Sequence, residues 1–373
     1  MDDKLWAKEV SDKIKEKLAV VAERNRHKIP YTTENGVFDN QIEKNVCWWT
    51  NGFWGGMMWQ LYHATGNEMY REIAVEVEEI LDKNLMSHQG MDHDSGFRWL
   101  PTAVANYRMT GNSDAYNRGR LAADNLAGRF NPKGNFIRAW NDEGDGCRAG
   151  WAIIDCMMNL PLLYWAYQET NDPRYLHIAL GHADMAAECF VRGDGSVKHI
   201  VEFNPMTGEY VRSYGGQGYG EGSSWTRGQA WAIYGFALSY LHTKEEKYLL
   251  CAKKIANYFI VNIPENGFVP VDFRQPSECK LEDSTATAIA SCGMIEIARF
   301  CEGREKELYY GTAIKLLRTL EEKRCNWTKD CDNIVEKCTA AFHDKEHEFA
   351  IIYGDYFFIE AIFKLTEEEL FIW

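Results

Sequence analysis

The sequence predicts an all-α fold, an (α/α)6 barrel built from six helical hairpins. Helical periodicity gives about twelve segments along the 373 residues. A short pattern also recurs: a Thr, a polar turn, and a Tyr that opens the next helix. It starts at Thr65, Thr110, Thr170 and Thr243. The spacings between these Thr residues are too irregular for a solenoid with a fixed period, so stacked hairpins with variable loops fit better.

The predicted helices lie, in order, near 3–24, 52–64, 68–85, 96–109, 113–130, 151–169, 173–191, 228–241, 245–262, 284–300, 304–322 and 350–365. The first helix of a repeat, such as 52–64, is aromatic, glycine-containing and almost uncharged, which is typical of an inner helix. The second, such as 68–85, alternates charged and apolar faces as an outer helix does. Gly55, Gly56 and Gly235 would let inner helices approach closely.

The chain between helices also carries information. The glycine-rich stretch 193–224 is predicted to be a long loop or hairpin, and loops of that length in a compact domain are usually functional. No Pro- or Ser-rich linker interrupts the sequence, so we expect one domain over 1–373.

Composition narrows the function. A hydrophobic content of 46% with 26% charged residues is ordinary for a globular protein and excludes a disordered chain. The net charge of −14 argues against binding to nucleic acid or an anionic membrane. The most apolar stretch, 151–167, contains Asp155, Asn159 and Pro161, which favours a buried helix over a membrane span.

Compartment and cofactors follow from the termini and the cysteines. The acidic start at Met1 shows no signal-peptide pattern, and the eleven Cys are scattered without a Cys-x-x-Cys pair. We therefore expect reduced thiols and a cytoplasmic protein. In the run Asp92-His93-Asp94, two carboxylates flank one imidazole, too few ligands to indicate a metal site. Asp94 could equally cap the next helix.

The functional site is expected in the loops opposite the Thr turns. Thirteen Trp are an unusual load, and three of them, including Trp49, fall within the seven residues 48–54 at the start of the helix at 52–64. They could pack the core or stack on the faces of sugars. Trp225, Arg227 and Trp231 fall at another inner helix, where Arg227 and Trp231 share one face.

Asp155 is the single charged residue of 151–167. Burial should raise its pKa, whereas a place in the first turn of a helix should partly oppose the rise. A carboxyl tuned in this way suits a general acid, although a structural Asp bonded to backbone N–H groups is the alternative. His199 and Gln217 could reach the same mouth. An anionic sugar would need a basic patch there, which His93, Arg148, His199 and Arg227 could supply.

At these positions the sequence resembles the unsaturated glucuronyl hydrolases of glycoside hydrolase family 88. The motifs that carry the resemblance run in family order: TNGFWGGMMW (50–59), DHDSGF (92–97), IIDCMMNLPLL (153–163), VRGDGS (191–196), SSWTRGQAWAIYGFAL (223–238), DSTATAIASCGMIEIA (283–298) and YGDYFFIEAI (353–362). Related rhamnogalacturonyl hydrolases tend to carry WARGNGW where this chain has WTRGQAW.

The resemblance implies the barrel and a distinctive reaction. A 4,5-unsaturated glucuronic acid at the non-reducing end of a lyase product is removed by hydration of its vinyl ether. Asp155 matches the general acid/base and Asp94 the second essential Asp. Substrate-contacting positions match Trp49, His93, His199, Gln217, Trp225, Arg227 and Trp231, and neither metal nor organic cofactor is implied.

Three alternatives stay open at this point. One is an unsaturated rhamnogalacturonyl hydrolase, another is an ordinary inverting glycosidase that uses Asp94 and Asp155, and the third is a non-catalytic sugar-binding protein. The substrate's sulfation is also open. Some streptococcal relatives carry Ser-x-x-Ser-x-Lys near the C-terminus, whereas this chain has AAFHDK at 340–345, with the Lys but neither Ser.

Overall fold

The structure, a computed structural model, describes residues 2–142, 144 and 146–373. The α-helices of this part of the chain are α1 (Asp3–Arg24), α2 (Gln41–Lys44), α3 (Gly52–Thr65), α4 (Glu68–Ser87), α5 (Ser95–Trp99), α6 (Ala105–Thr110), α7 (Ser113–Ala127), α8 (Leu160–Thr170), α9 (Pro173–Cys189), α10 (Thr226–Thr243), α11 (Glu246–Val261), α12 (Ser284–Arg299), α13 (Gly303–Lys323) and α14 (Ile352–Thr366). A π-helical turn, Leu100–Val104, joins α5 to α6.

Short strands occupy the connections. They are β1 (Thr33–Glu34), β2 (Val37–Phe38), β3 (Phe130–Asn131), β4 (Phe136–Ile137), β5 (Trp151–Ile153), β6 (Ile200–Phe203) and β7 (Tyr210–Tyr214). The first four form two antiparallel hairpins. The last three form one antiparallel sheet in the order β5-β6-β7. The predicted hairpin in the glycine-rich stretch is therefore confirmed as β6–β7.

The helices form a closed double ring. The inner ring runs α3, α5–α6, α8, α10, α12, α14, and α14 packs against α3 to close it. Helices α4, α7, α9, α11 and α13 each pack outside the inner helix that precedes them. The sixth pair joins the two ends of the helical sequence, because α1 packs against α14. The predicted (α/α)6 barrel is confirmed.

Burial follows the predicted division into inner and outer helices. Every residue from Thr226 to Ser239 of α10 is buried, whereas α4 buries only one face. The small residues make close packing possible. A Cβ on Gly56 would lie 2.6 Å from Pro101 Cβ, and one on Gly235 would lie 2.5 Å from Met157 Cβ. Larger side chains at these positions would push the inner helices apart.

The recurring Thr plays the same part in four hairpins. Its Oγ1 donates to the carbonyl four residues earlier and accepts the N–H two residues later, as Thr170 does with Ala166 at 2.7 Å and Asp172 at 3.1 Å. The residue after each Thr adopts the left-handed conformation that ends a helix. These residues are Gly66, Gly111, Asn171 and Lys244. The sequence pattern thus marks the ends of four inner helices.

One predicted helix was wrong in a way that matters for the site. The segment 151–169 begins as strand β5, continues as a 3-10 turn at Ile154–Met158, and becomes helical only at Leu160. Pairing with β6 and the hydrogen bond from Ile154 N to His199 O hold the first part extended. Pro161, in the first turn of α8, suits a helix start there. Asp155 therefore lies in the 3-10 turn.

Two further expectations concern the whole chain. Among the described residues, no helix has the length and apolar character that a membrane crossing requires. All eleven cysteines are free thiols, and four of them are buried.

Candidate active site

A cleft of about 730 Å³ opens at one mouth of the barrel, where the loops that precede the inner helices meet. Of the predicted site residues, Trp49, Asp94 and Gln217 line it. The other residues of its wall are Asn45, Cys47, Trp48, Gln89, Gly90, Asp92, Trp140, Asn141, Arg148 and Trp151. Indole rings and carboxylates thus share one opening, although Asp155, Trp225 and Trp231 are not among the residues that line it.

Asp155 lies beside this cleft with its side chain 12% exposed. Its Oδ2 is buried and has no hydrogen-bond partner among the described residues. Burial, reinforced by the nearby charge of Asp94, raises its pKa to about 7, while the charge of Arg227 opposes the rise. The carboxyl is therefore about half protonated at neutral pH and can act as a proton donor.

Asp94 occupies the N-cap position of α5, but its side chain does not cap that helix. Its Oδ1 instead accepts a hydrogen bond from Asn159 Nδ2 at 3.3 Å and lies 3.4 Å from His93 Nε2. Burial raises the pKa of Asp94 to about 6, and Arg98 and Asn159 limit the rise. At neutral pH the site therefore combines one ionised carboxylate with one carboxyl that is close to half protonated.

The two site histidines are buried and neutral. Burial lowers the pKa of both His93 and His199 to about 3. The expected basic patch therefore lacks both histidines, because a desolvated imidazole does not hold its proton at neutral pH. His199 Nδ1 accepts the backbone N–H of Gln217 at 2.9 Å, so its Nε2 carries the proton.

Arg227 is 1% exposed, and both of its Nη atoms donate hydrogen bonds to the protein. Its Nη1 donates to Asp283 Oδ2 at 2.6 Å and to Thr339 O at 2.7 Å, and its Nη2 donates to Ala340 O. The guanidinium also lies 4.4 Å from the centre of the Trp225 ring. Arg227 thus supports the wall of the site, and its positive charge is compensated by Asp283.

The three predicted tryptophans lie at different depths. Trp49 is half-buried and lines the cleft. Trp225 is 2% exposed and packs against the His199 ring at 4.3 Å. Trp231 is completely buried, with its ring centre 5.1 Å from that of Phe97. Only Trp49 of the three presents a face to the opening.

Gln217 connects the glycine-rich loop to the segment 340–345. Its Nε2 donates to Ala340 O at 2.9 Å, and its backbone carbonyl accepts from Phe342 N at 2.9 Å. Lys345 is exposed. The segment that departs from the streptococcal motif therefore borders the site through Gln217 and Arg227.

Sequence reasoning missed several residues that build the site. Asn159 contacts Asp94, and its position four residues after Asp155 was the available signal. Arg98 is fully buried, and it donates from α5 to Asp92, in the loop that also carries Asp94. Trp140 and Trp151 line the cleft with ring centres 6.1 Å apart, but no spacing rule links two residues in separate loops.

No group of three or more His, Cys, Asp or Glu side chains in the described ranges is arranged to hold a metal ion. Asp92, His93 and Asp94 therefore do not form such a group. Arg98 Nη2 donates to Asp92 Oδ1 at 2.5 Å, which occupies that carboxylate with an ion pair.

A helical barrel whose mouth holds indole walls and two buried carboxyls is typical of a glycoside hydrolase. The chain belongs to Glycosyl Hydrolase Family 88, whose model matches residues 20–349.

Individual relatives are similar over most of their length. The unsaturated glucuronyl hydrolase of Bacillus sp. (strain GL1) is 36% identical over 327 residues, which are 85% of this chain and 86% of the relative. The unsaturated chondroitin disaccharide hydrolase of Streptococcus pneumoniae is 33% identical over 332 residues, which are 87% of this chain and 83% of the relative. The crystal structure of the unsaturated glucuronyl hydrolase of Streptococcus agalactiae matches with a TM-score of 0.92 at 30% identity, covering 99% of this chain and 94% of that one.

Proposed function

We propose that this enzyme removes 4,5-unsaturated glucuronic acid from the non-reducing end of lyase-generated glycosaminoglycan oligosaccharides of the chondroitin or hyaluronan type. The names of the Bacillus and Streptococcus pneumoniae relatives support this substrate class. The observation that carries the proposal is Asp155, a buried carboxyl with a pKa of about 7 beside an aromatic cleft. We place the reaction in the cytoplasm, because eleven free thiols persist in a reducing compartment.

The chemistry is the hydration of a vinyl ether. The Asp155 carboxyl delivers its proton to C4, so that positive charge develops at C5 and the ring oxygen. Water then adds to C5, and its proton returns to the Asp155 carboxylate, which acts as the general base. The hemiketal at C5 opens to a ketone, and the hemiacetal left at C1 releases the remaining sugar.

Asp94 assists as the ionised member of the pair. Its negative charge raises the pKa of Asp155 and so favours the protonated form of that carboxyl. It is also placed in the cleft wall, where a carboxylate can accept hydrogen bonds from substrate hydroxyls. Trp49 would supply an aromatic face for a sugar ring. The buried Trp225 and Trp231 would support the site by packing behind its wall.

A second candidate is an inverting glycosidase that acts at the anomeric carbon. The split between Asp94 and Asp155 favours it as well, because that mechanism also pairs a carboxylic acid with a carboxylate. An unsaturated rhamnogalacturonyl hydrolase would share the hydration chemistry, but the relatives described above are not named for that substrate.

A substrate panel separates these functions. We expect turnover of unsaturated chondroitin and hyaluronan disaccharides, with sulfated and unsulfated forms assayed in parallel, and no turnover of the saturated counterparts. Hydrolysis of saturated glucuronides would favour the inverting mechanism. Turnover confined to unsaturated rhamnogalacturonan fragments would reassign the substrate. Sugar binding measured by calorimetry, without any turnover, would indicate a non-catalytic sugar-binding protein.

A further inference from the structure

Asn159 is a completely buried residue that links the two segments carrying the site carboxyls. It follows the 3-10 turn of Asp155 and precedes α8. Its Oδ1 accepts the backbone N–H of Phe97 at 2.8 Å. Because an N–H donor faces this atom, the oxygen must be on that side and the NH2 group on the other. That NH2 group donates to Asp94 Oδ1 at 3.3 Å and lies 3.5 Å from the backbone oxygen of Asp155.

The fit between the two segments is close. A Cβ on Gly96 would lie 2.5 Å from the Asn159 Cα and 2.7 Å from its Oδ1. Only glycine at this position lets the start of α5 approach the 3-10 turn closely enough for the amide to reach Asp94. The contact between Asn159 and Asp94 therefore depends on the close packing of these two segments.

The contact has an electrostatic consequence. The NH2 group donates to the carboxylate of Asp94 and so opposes the rise of its pKa that burial causes. The charge of Asp94 in turn raises the pKa of Asp155. The other charged or titratable groups that act on these two carboxyls come from several elements: Asp92, His93, Arg98, Arg129, Cys156, His199 and Arg227.

We propose that Asn159 is a positioning residue for the reaction. Its amide fixes the Asp94 carboxylate against the turn that carries Asp155, and it keeps Asp94 as the ionised partner while Asp155 holds the proton. Asn159 does not touch the substrate in this proposal, and it acts through the two aspartates. The proposal rests on the function proposed above, in which Asp155 donates the proton.

The kinetic test uses Asn159→Asp in the full-length enzyme, with kcat/KM measured against pH on an unsaturated chondroitin disaccharide. The new carboxylate still accepts from Phe97 N–H, but it presents an oxygen instead of a donor to Asp94. We expect kcat to fall about tenfold or more. The acid limb of the pH profile, where activity is lost as Asp94 becomes protonated, should move up by about one pH unit, because a second carboxylate disfavours ionisation of Asp94. Asn159→Ala should move the same limb in the same direction.

Asn106→Ala is the matched control. Asn106 is also buried, but it lies on α6 and donates to Glu78 at 2.7 Å, away from the cleft. We expect it to lower thermal stability and leave both limbs of the pH profile in place. Folded Asn159 variants whose acid limb coincides with that of the wild type would overturn the proposal, whatever their stability.

A second measurement needs no substrate. In the wild-type enzyme labelled with 15N-asparagine, the side-chain amide resonances of Asn159 should shift with an inflection near pH 6, where Asp94 titrates. A flat titration would contradict the coupling. If the inflection appears but no unsaturated uronide is turned over, the coupling stands and the proposed function is wrong.

Discussion

His199 Nε2 lies 3.6 Å from Asp155 Oδ2, and both atoms lack a hydrogen-bond partner in the described part of the chain. His199 cannot rotate away freely, because its Nδ1 accepts the Gln217 backbone N–H. A donor is thus held slightly beyond hydrogen-bond distance of the carboxyl that must lose its proton. A small closure on substrate binding would bring the two into contact when Asp155 becomes negatively charged.

We predict that His199→Phe, which keeps an aromatic ring against Trp225, lowers kcat about tenfold or more because one donor to the charged form of Asp155 is lost. Without that donor the pKa of Asp155 should rise, so the basic limb of the pH profile should move upward. His182→Phe is the control, since His182 is equally buried and accepts Ile137 N–H at 2.9 Å. Equal pH profiles for both variants would exclude this role of His199.

The wild-type pH profile should be a narrow bell. Asp155 must be protonated, so activity should fall above about pH 7, and Asp94 must be ionised, so activity should fall below about pH 6. These are the two apparent pKa values of a coupled pair. Asp94→Asn should reduce kcat and abolish the acid limb, as measured by kcat/KM against pH. An acid limb that persists in this variant would show that another group sets it.

Arg227 should matter for stability as well as for activity. Because its ion pair with Asp283 is buried, Arg227→Met should destabilise the protein by about 3–5 kcal/mol in urea unfolding. Arg212→Met is the contrasting change, because the ion pair of Arg212 with Glu202 lies at the surface and should contribute little to stability. If Arg227→Met raised KM without loss of stability, Arg227 would be a substrate-binding arm, as the family resemblance implied.

The Thr turns should stabilise the barrel without affecting chemistry. Thr170→Ala removes the hydrogen bonds to Ala166 and Asp172, at a cost of roughly 0.5–1.5 kcal/mol each in thermal or urea unfolding. Activity should be unchanged, because this turn ends α8 far from the cleft residues. Thr170→Ser retains the hydroxyl and should recover most of the stability. A catalytic defect in Thr170→Ala at temperatures where it is folded would contradict this assignment.

The helices were predictable because each carries its own local signal. The Thr turns fixed the ends of four inner helices, and the uncharged faces of segments such as 52–64 identified the inner ring. Local signals misled at Asp155, where pairing of β5 with β6 overrode a helical apolar pattern. The contact between Asp94 and Asn159 joins residues 65 positions apart, and no local pattern predicts such a pair. Arg227 and Trp231 are almost completely buried and do not line the cleft, because their depth depends on neighbours from other helices.

The most direct test of the account follows the ultraviolet absorbance of the unsaturated uronate in a lyase-generated disaccharide. The wild-type enzyme should abolish this absorbance. Asp155→Asn, which keeps the size of the side chain but cannot donate an acid proton, should be at least about 10²-fold slower. Equal rates for the two proteins, or a stable absorbance with the wild type, would contradict vinyl-ether hydration by Asp155.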